Sequence, residues 1–97
     1  MFVVITTVEV ERGSIPELAT LFDSTNRELV AGHEDWLGAM FTANHEQSHV
    51  TVIARWANAD SYERLRTSDE FREAMSRFAV KFTAPPSISI NEVLVEM

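Results

Sequence analysis

The string His45-Glu46-Gln47-Ser48-His49 has the H-E-x-x-H spacing of zinc proteases. In those enzymes the string lies on a helix, so both imidazoles reach the metal and the glutamate acts as a base. Here it is a polar, turn-like stretch between two segments of alternating hydrophobicity, and two histidines fall short of the three protein ligands of a catalytic zinc. We therefore interpret the string as a solvated hairpin turn and expect no metal there.

One tryptophan and three polar residues are stronger candidates for chemistry. Trp56 ends an alternating apolar segment, so its indole can line a pocket for a flat aromatic ligand and donate a hydrogen bond, or else close one end of the core. Thr6, Tyr62 and Arg77 can reach the same interior space, and Tyr62 or Arg77 can stabilise an oxyanion derived from a phenol. The alternative for these three is a surface group or a core group with a hydrogen-bond partner.

Two further aromatic residues are candidates for contact with a ligand. Trp36 begins a predicted strand, where packing is the alternative because nothing polar converges on it. Phe78 belongs to an apolar helical stripe.

From these candidates we predict Trp56, Thr6 and Arg77 as the catalytic residues. The predicted substrate-binding residues are Tyr62, Phe78 and Trp36.

The elements that must position these residues follow from periodicity and from turn signals. Period-two alternation predicts strands, and apolar spacings of three and four predict helices. Ser14 and Glu17 have the spacing of a capping box, Ser68 is a predicted N-cap, and Gly32 is a predicted helix stop. The predicted strands are 2–11, 36–43, 49–56 and 88–95, and the predicted helices run from Ser14 to Gly32, from Asn58 to Arg66 and from Ser68 to Phe82.

This order predicts an α+β fold with the ferredoxin-like arrangement β-α-β-β-α-β. Crossovers that contain helices join parallel strands that need not be neighbours, so the sheet is antiparallel with both helical segments on one face. The chain has 97 residues, which corresponds to one domain spanning 1–97.

Both faces of the predicted sheet carry apolar side chains. Val4 and Ile5 point to opposite faces, as do Val52 and Ile53. The helices can cover only one face, so we predict that the other is covered by a second copy in a homodimer. The alternative is a monomer with an apolar exposed sheet.

The charge balance disfavours two classes of partner. The formal net charge is -7, with 15 acidic against 8 basic residues. Nucleic acids and anionic membranes favour basic patches, so we expect neither as a partner. The chain has no cysteine, which fits a cytoplasmic location, and no apolar run approaches the ~18 residues of a membrane span.

Four stretches, in order and spacing, resemble the antibiotic biosynthesis monooxygenase family. The resemblance covers nearly the whole chain and includes a tryptophan that ends the third strand just before a helix. The stretches are Val3–Val10 followed by Gly13, Trp36-Leu37-Gly38-Ala39, Arg55–Tyr62 and Thr67–Arg72.

The resemblance implies a dimeric α+β barrel and, as the first expectation, oxidation of a small aromatic or quinol-type substrate by O2 without a cofactor. The alternatives are a non-redox isomerase or cyclase of a small carbonyl compound and a non-catalytic module that binds a small ligand. A heme-degrading branch uses an asparagine, a tryptophan and a histidine at the positions of Thr6, Trp56 and Arg77. Only Trp56 matches, and arginine cannot ligate iron, so we do not expect heme degradation.

Overall fold

The computed structural model describes residues 1–97, which form seven elements. They are β1 (Phe2–Glu9), α1 (Ile15–Val30), β2 (Trp36–Asn44), β3 (His49–Trp56), α2 (Ala59–Arg66), α3 (Asp69–Ala79) and β4 (Ser87–Glu92). None of the helices has the length and apolar character needed to cross a bilayer.

The four strands form one antiparallel sheet in the order β2-β3-β1-β4. β1 is central, and its Thr6 lies opposite Val52 on β3 and Ile88 on β4. β1 and β2 are parallel but not adjacent, because β3 lies between them, and this is the split arrangement that the order of elements predicted. The ferredoxin-like α+β fold is therefore confirmed.

The two faces of the sheet differ in how they are covered. Val4, Val8 and Trp56 point to the helices and are buried. Ile5 points to the opposite face and is only half-buried, and Met40 on that face keeps 58% of its surface exposed. The sheet thus has an uncovered apolar face, as the alternation predicted, and its pairing with a second copy stays a prediction.

Of the two helix N-terminal caps predicted from the sequence, one is present in the structure and the other is not. The Ser68 hydroxyl accepts from the amide of Phe71 at 3.2 Å and caps α3 as predicted. The predicted capping box at Ser14 is wrong, since Ser14 adopts a helical backbone and its hydroxyl donates to the carbonyl of Glu11 at 2.6 Å. A residue already in a helical conformation cannot aim its side chain back at the first free amides.

Two strands are shorter than the alternation predicted. β1 ends at Glu9, and Val10 makes only an isolated bridge to Phe82. β4 ends at Glu92 rather than at Val95. Leu94 and Val95 have no strand beside them and are about four-fifths exposed, at 82% and 77%.

The core between sheet and helices is divided into two clusters. The first contains Val8, Val10, Ile15, Leu18 and Val50, with Phe41, Val52, Phe78 and Phe82 packed against it. The second contains Val4, Trp56, Tyr62 and Leu65, with Leu29, Trp36, Ala54 and Phe71 packed against it. Trp56 and Tyr62 belong to the second cluster, Trp36 packs against it, and Phe78 packs against the first.

Candidate active site

A cavity of about 130 Å³ lies between the sheet and the helices, with walls from both core clusters. Of its 21 lining residues, 19 are hydrophobic, so the environment inside has low polarity. Ile88 on the edge strand β4 is the one exposed residue in the wall.

Five of the six residues predicted from the sequence line this cavity. They are Thr6, Trp36, Trp56, Tyr62 and Phe78. The fold brings them together because β1, β3 and α3 present their inward faces to the same space. A bulge between Trp36 and Gly38 shifts the register at the start of β2, and there Trp36 lies opposite Trp56.

Trp56 has the most unusual environment of the five. It is 2% exposed, and its Nε1 is a buried donor with no hydrogen-bond partner. Its ring meets His33 edge-on at a centroid distance of 6.2 Å and Tyr62 at 6.0 Å. A buried donor without an acceptor costs about 1–3 kcal/mol, so this N–H is available for an acceptor that the protein does not supply.

Tyr62 adds a neutral hydroxyl to the same end of the cavity. Burial raises the pKa of Tyr62 above its usual value of 10.0, against a smaller opposing effect of the Arg66 charge. The phenol therefore stays protonated at neutral pH and can donate a hydrogen bond. It does not act there as a base.

A polar network holds Tyr62 and the start of α2 in place. The Asp35 carboxylate accepts from Ser61 Oγ at 2.5 Å and from Asn58 Nδ2 at 2.9 Å. These two hydrogen bonds hold the pKa of Asp35 below its usual value, and the bond from Ser61 has the larger effect. The positive charge of Arg64 lowers this pKa further. The Asn58 side chain also caps α2 by accepting from the amide of Ser61 at 2.9 Å. The network ties the loop before β2 to the turn that carries Tyr62.

Arg77 lies outside the cavity. Its side chain lines a separate polar groove between α1 and the other two helices, and its Nη2 lies 3.5 Å from Oε1 of Glu73. Neighbouring positions on a helix point about 100° apart, so the inward position of Phe78 turns Arg77 away. Arg77 is therefore not among the residues that line the cavity.

Asn26 is a polar residue of the cavity wall that sequence reasoning missed. It lies on the inward face of α1, one turn beyond Phe22, whose ring stacks on Phe41 at a centroid distance of 5.0 Å. The signal was present in the sequence, because the apolar stripe Ile15, Leu18, Phe22 and Leu29 has a polar residue at the step where its spacing calls for an apolar one.

The histidine string forms the turn between β2 and β3, as predicted. Residues 45–48 are the turn, with Ser48 at φ 54°, and Asn44 Oδ1 accepts from the Gln47 amide at 3.1 Å. His49 Nε2 lies 3.3 Å from Glu9 Oε1 on the open side of the sheet. No three His, Asp or Glu side chains converge in a way that could hold a metal ion.

The cavity wall carries no charged side chain. Its two polar residues are Thr6 and Asn26, and the aromatic residues Tyr62 and Trp56 each carry one further polar group. Such a site can bind an apolar ring, exclude water and donate hydrogen bonds to an oxygen atom. It has no group that accepts a proton near neutral pH.

Comparisons with known proteins agree with this architecture. The sequence profile of the family described as antibiotic biosynthesis monooxygenase matches residues 1–77. No curated protein sequence matches the chain. The solved structures that resemble it share its fold at low sequence identity.

Three of these structures span almost the whole chain. A conserved protein from Methanosarcina mazei Go1 is 19% identical, with a TM-score of 0.78 over 92% of this chain and 88% of that one. SnoaB, a cofactor-independent oxygenase from Streptomyces nogalater, is 13% identical, with a TM-score of 0.82 over 99% and 95% of the two chains. Rv0793 from Mycobacterium tuberculosis is 13% identical, with a TM-score of 0.79 over 98% and 96%.

These identities establish the fold alone, whereas the family profile matches most of the sequence and includes Trp56 and Tyr62. The chain belongs to the antibiotic biosynthesis monooxygenase family.

Proposed function

We propose that this protein oxidises a small aromatic or quinol-type substrate with O2 and without a cofactor. The observation that carries the proposal is the apolar cavity lined by Trp56, whose Nε1 is a buried donor without a hydrogen-bond partner. Family membership and the likeness in fold to a cofactor-independent oxygenase support it.

In the proposed reaction the main task of the protein is to bind the substrate. An ionised quinol gives one electron to O2, and the resulting semiquinone and superoxide combine to form a carbon–oxygen bond. The hydroperoxide then loses water, so that one quinol and one O2 yield one hydroxyquinone and one water. Trp56, Thr6 and Tyr62 would donate hydrogen bonds to the developing oxyanion, and the apolar walls would exclude water.

The composition of the wall favours one alternative over the other. An isomerase or cyclase of a carbonyl compound moves protons and needs a side chain that exchanges them near neutral pH. The cavity has none, because the pKa of Tyr62 is raised and the other polar groups do not titrate. A module that binds a small ligand without turnover is therefore the second candidate.

The deciding experiment is oxygen uptake by chelator-treated protein with a panel of quinols, catechols and anthrones. Uptake above the autoxidation rate, lost in Trp56→Phe, supports the proposal. If no compound raises uptake while one binds saturably, the binding module is the correct function. Turnover under anaerobic conditions would point to the isomerase.

We also propose that two copies pair through the uncovered sheet face, and that the functional unit is this homodimer. Val3, Ile5 and Ile53 present apolar surface there, and Met40 is largely exposed beside them. A contiguous apolar patch on a sheet gains about 25 cal/mol for each Å² that a partner covers.

A further inference from the structure

The ladder registers provide a map of the uncovered sheet face. Residues opposite each other on neighbouring strands point to the same face, and alternate residues along a strand share that face. The face therefore consists of four rows that cross the strands. From one end to the other, the rows are Gly38, Arg55, Val3 and Asn91; then Met40, Ile53, Ile5 and Ser89; then Thr42, Thr51, Thr7 and Ser87; and last Asn44, His49 and Glu9.

Within the four strands, the charged side chains of this face lie at its two ends and have opposite signs. Arg55 is in the first row, and Glu9 is in the last row beside His49. Arg55 and His49 are six residues apart on β3, so the two ends are separated by about 20 Å at ~3.3 Å per residue. The two rows between them contain no charged residue. Each copy therefore has a positive end and a negative end on its uncovered surface.

The guanidinium of Arg55 lies on the face itself. A Cβ atom on Gly38 would lie 3.0 Å from Arg55 Nη2, so the guanidinium lies across the glycine of the neighbouring strand. Arg55 is exposed and takes part in no ion pair within its own chain. Its donors are therefore available to a carboxylate that a partner supplies.

Glu9 is a carboxylate with room for a further donor. Its side chain is 55% exposed, and its Oε1 lies 3.3 Å from His49 Nε2, an imidazole that is charged only when it is protonated. A carboxylate has about four lone-pair positions on its two oxygens, and one imidazole N–H occupies a single one. Glu9 can therefore also accept from a permanently charged guanidinium, which makes the stronger kind of hydrogen bond.

Symmetry limits how two such faces can meet. A closed pair of identical copies has a twofold axis, and for two facing sheets this axis lies in the plane between them. If the axis runs along the strands, like ends meet, and Arg55 lies near the partner's Arg55. If the axis runs across the strands, unlike ends meet, and Arg55 lies near the partner's Glu9. A right-angled crossing, which is the other common packing of two sheets, brings neither pair together.

Electrostatics favours one of these arrangements. Like charges that face each other across an interface cost free energy, whereas opposite charges fix the relative orientation of the partners. We propose that the twofold axis of the homodimer runs across the strands and that Arg55 of each copy forms an ion pair with the partner's Glu9. Every dimer then has two such pairs, with Ile5 and Ile53 near the axis. The inference rests on the pairing proposed above and adds the orientation of the two copies.

The test is to reverse each charge separately and then to mix the two proteins. Arg55→Glu and Glu9→Lys each place like charges opposite each other twice in the homodimer. Each substitution should raise the dimer dissociation constant in sedimentation equilibrium by about tenfold or more. In an equimolar mixture both contacts between unlike chains are attractive again. The two variants should therefore form a heterodimer, which native mass spectrometry detects because the chains differ in mass.

Two further variants control for other effects of charge. Arg27→Glu changes the net charge as Arg55→Glu does, but it lies on α1, with its side chain 78% exposed, and should leave the dissociation constant unchanged. Arg55→Gln removes the charge without reversing it and should weaken the dimer by about three- to tenfold. A tighter dimer in Arg55→Gln would show that like ends meet and would overturn the proposed orientation.

The mixture distinguishes contacts between copies from contacts within one copy, because a defect inside one chain is not repaired by another chain. Two weakened variants that form no heterodimer would overturn the ion pair. A dimer whose dissociation constant responds to neither charge reversal would keep the pairing through the sheet face and overturn the orientation. A wild-type protein with monomer mass would overturn both. Oxygen uptake is measured separately and bears only on the proposed oxidation.

Discussion

The rings of Trp56 and Tyr62 lie with centroids 6.0 Å apart and planes inclined by 60°. One residue ends β3 and the other lies in α2, so the short connection between them places both aromatic side chains in one wall of the cavity. Both side chains are 5% exposed or less. Both side chains are therefore shielded from bulk solvent where they line the cavity.

Replacing Trp56 by phenylalanine should separate catalysis from stability. The variant keeps an aromatic wall and loses an unpaired donor, so the free energy of unfolding should change by less than ~2 kcal/mol. Oxygen uptake should fall at least ~10-fold if the N–H stabilises an oxyanion. Trp36→Phe is the matched control and should retain more activity, since Trp36 is only partly buried and no fully buried unpaired donor is removed. Equal losses in the two variants would contradict the role of Trp56.

The ionisation of Tyr62 can be read directly, because it is the only tyrosine in the chain. Its pKa is raised above 10.0 by burial, so the ultraviolet tyrosinate titration should have its midpoint above that value. The unfolded chain releases this proton first, so folding stability should fall as pH rises past about 10. A midpoint at or below 10.0 would show that the hydroxyl is exposed to water.

Asp35 should make folding sensitive to acid. Its pKa is lowered by the hydrogen bonds from Ser61 and Asn58, so its contribution to stability is present above the usual value of 3.8 and is lost as pH falls below it. Asp35→Asn should lower the melting temperature at pH 7 and reduce its dependence on pH between about 5 and 3. If Asp35→Asn leaves the pH dependence of the melting temperature unchanged, a group other than Asp35 causes the sensitivity to acid.

The pH dependence of turnover should follow the substrate rather than the protein. The cavity wall has no group that titrates near neutrality, so the quinol must lose its proton to solvent before it reduces O2. Across quinols of different acidity, the midpoint of the pH–rate profile should shift with the pKa of each compound. A midpoint that stays constant across the series would reveal a protein base.

A charge on the uncovered sheet face should prevent the proposed pairing. Ile53 is in the middle of β3 and points away from the helices, so Ile53→Glu should convert a dimer into a monomer in light scattering after size exclusion. Thr20→Glu, on an exposed position of α1, is the control and should leave the mass unchanged. A wild-type protein with monomer mass at high concentration would refute the pairing.

The fold was largely predictable because each strand alternates with period two and α3 repeats its apolar residues at helical spacing. Thr6, Trp56 and Tyr62 were predicted to face the interior, and they do. Arg77 was wrongly expected to reach the interior, although the apolar stripe that contains Phe78 already implies that its neighbour points about 100° away. Asn26 was overlooked because a single polar residue in an apolar stripe is easily taken as tolerated.

The central position of β1 determines when the sheet can be completed. β1 pairs with β4, and the Asn91 side chain donates to the carbonyl of Val3. These contacts join the first and the last strand of the domain in sequence order. Closing so long a loop is entropically costly, and non-local pairings slow folding. During synthesis β1 must therefore wait for β4, and until then its edge remains an unpaired template on which other chains can assemble.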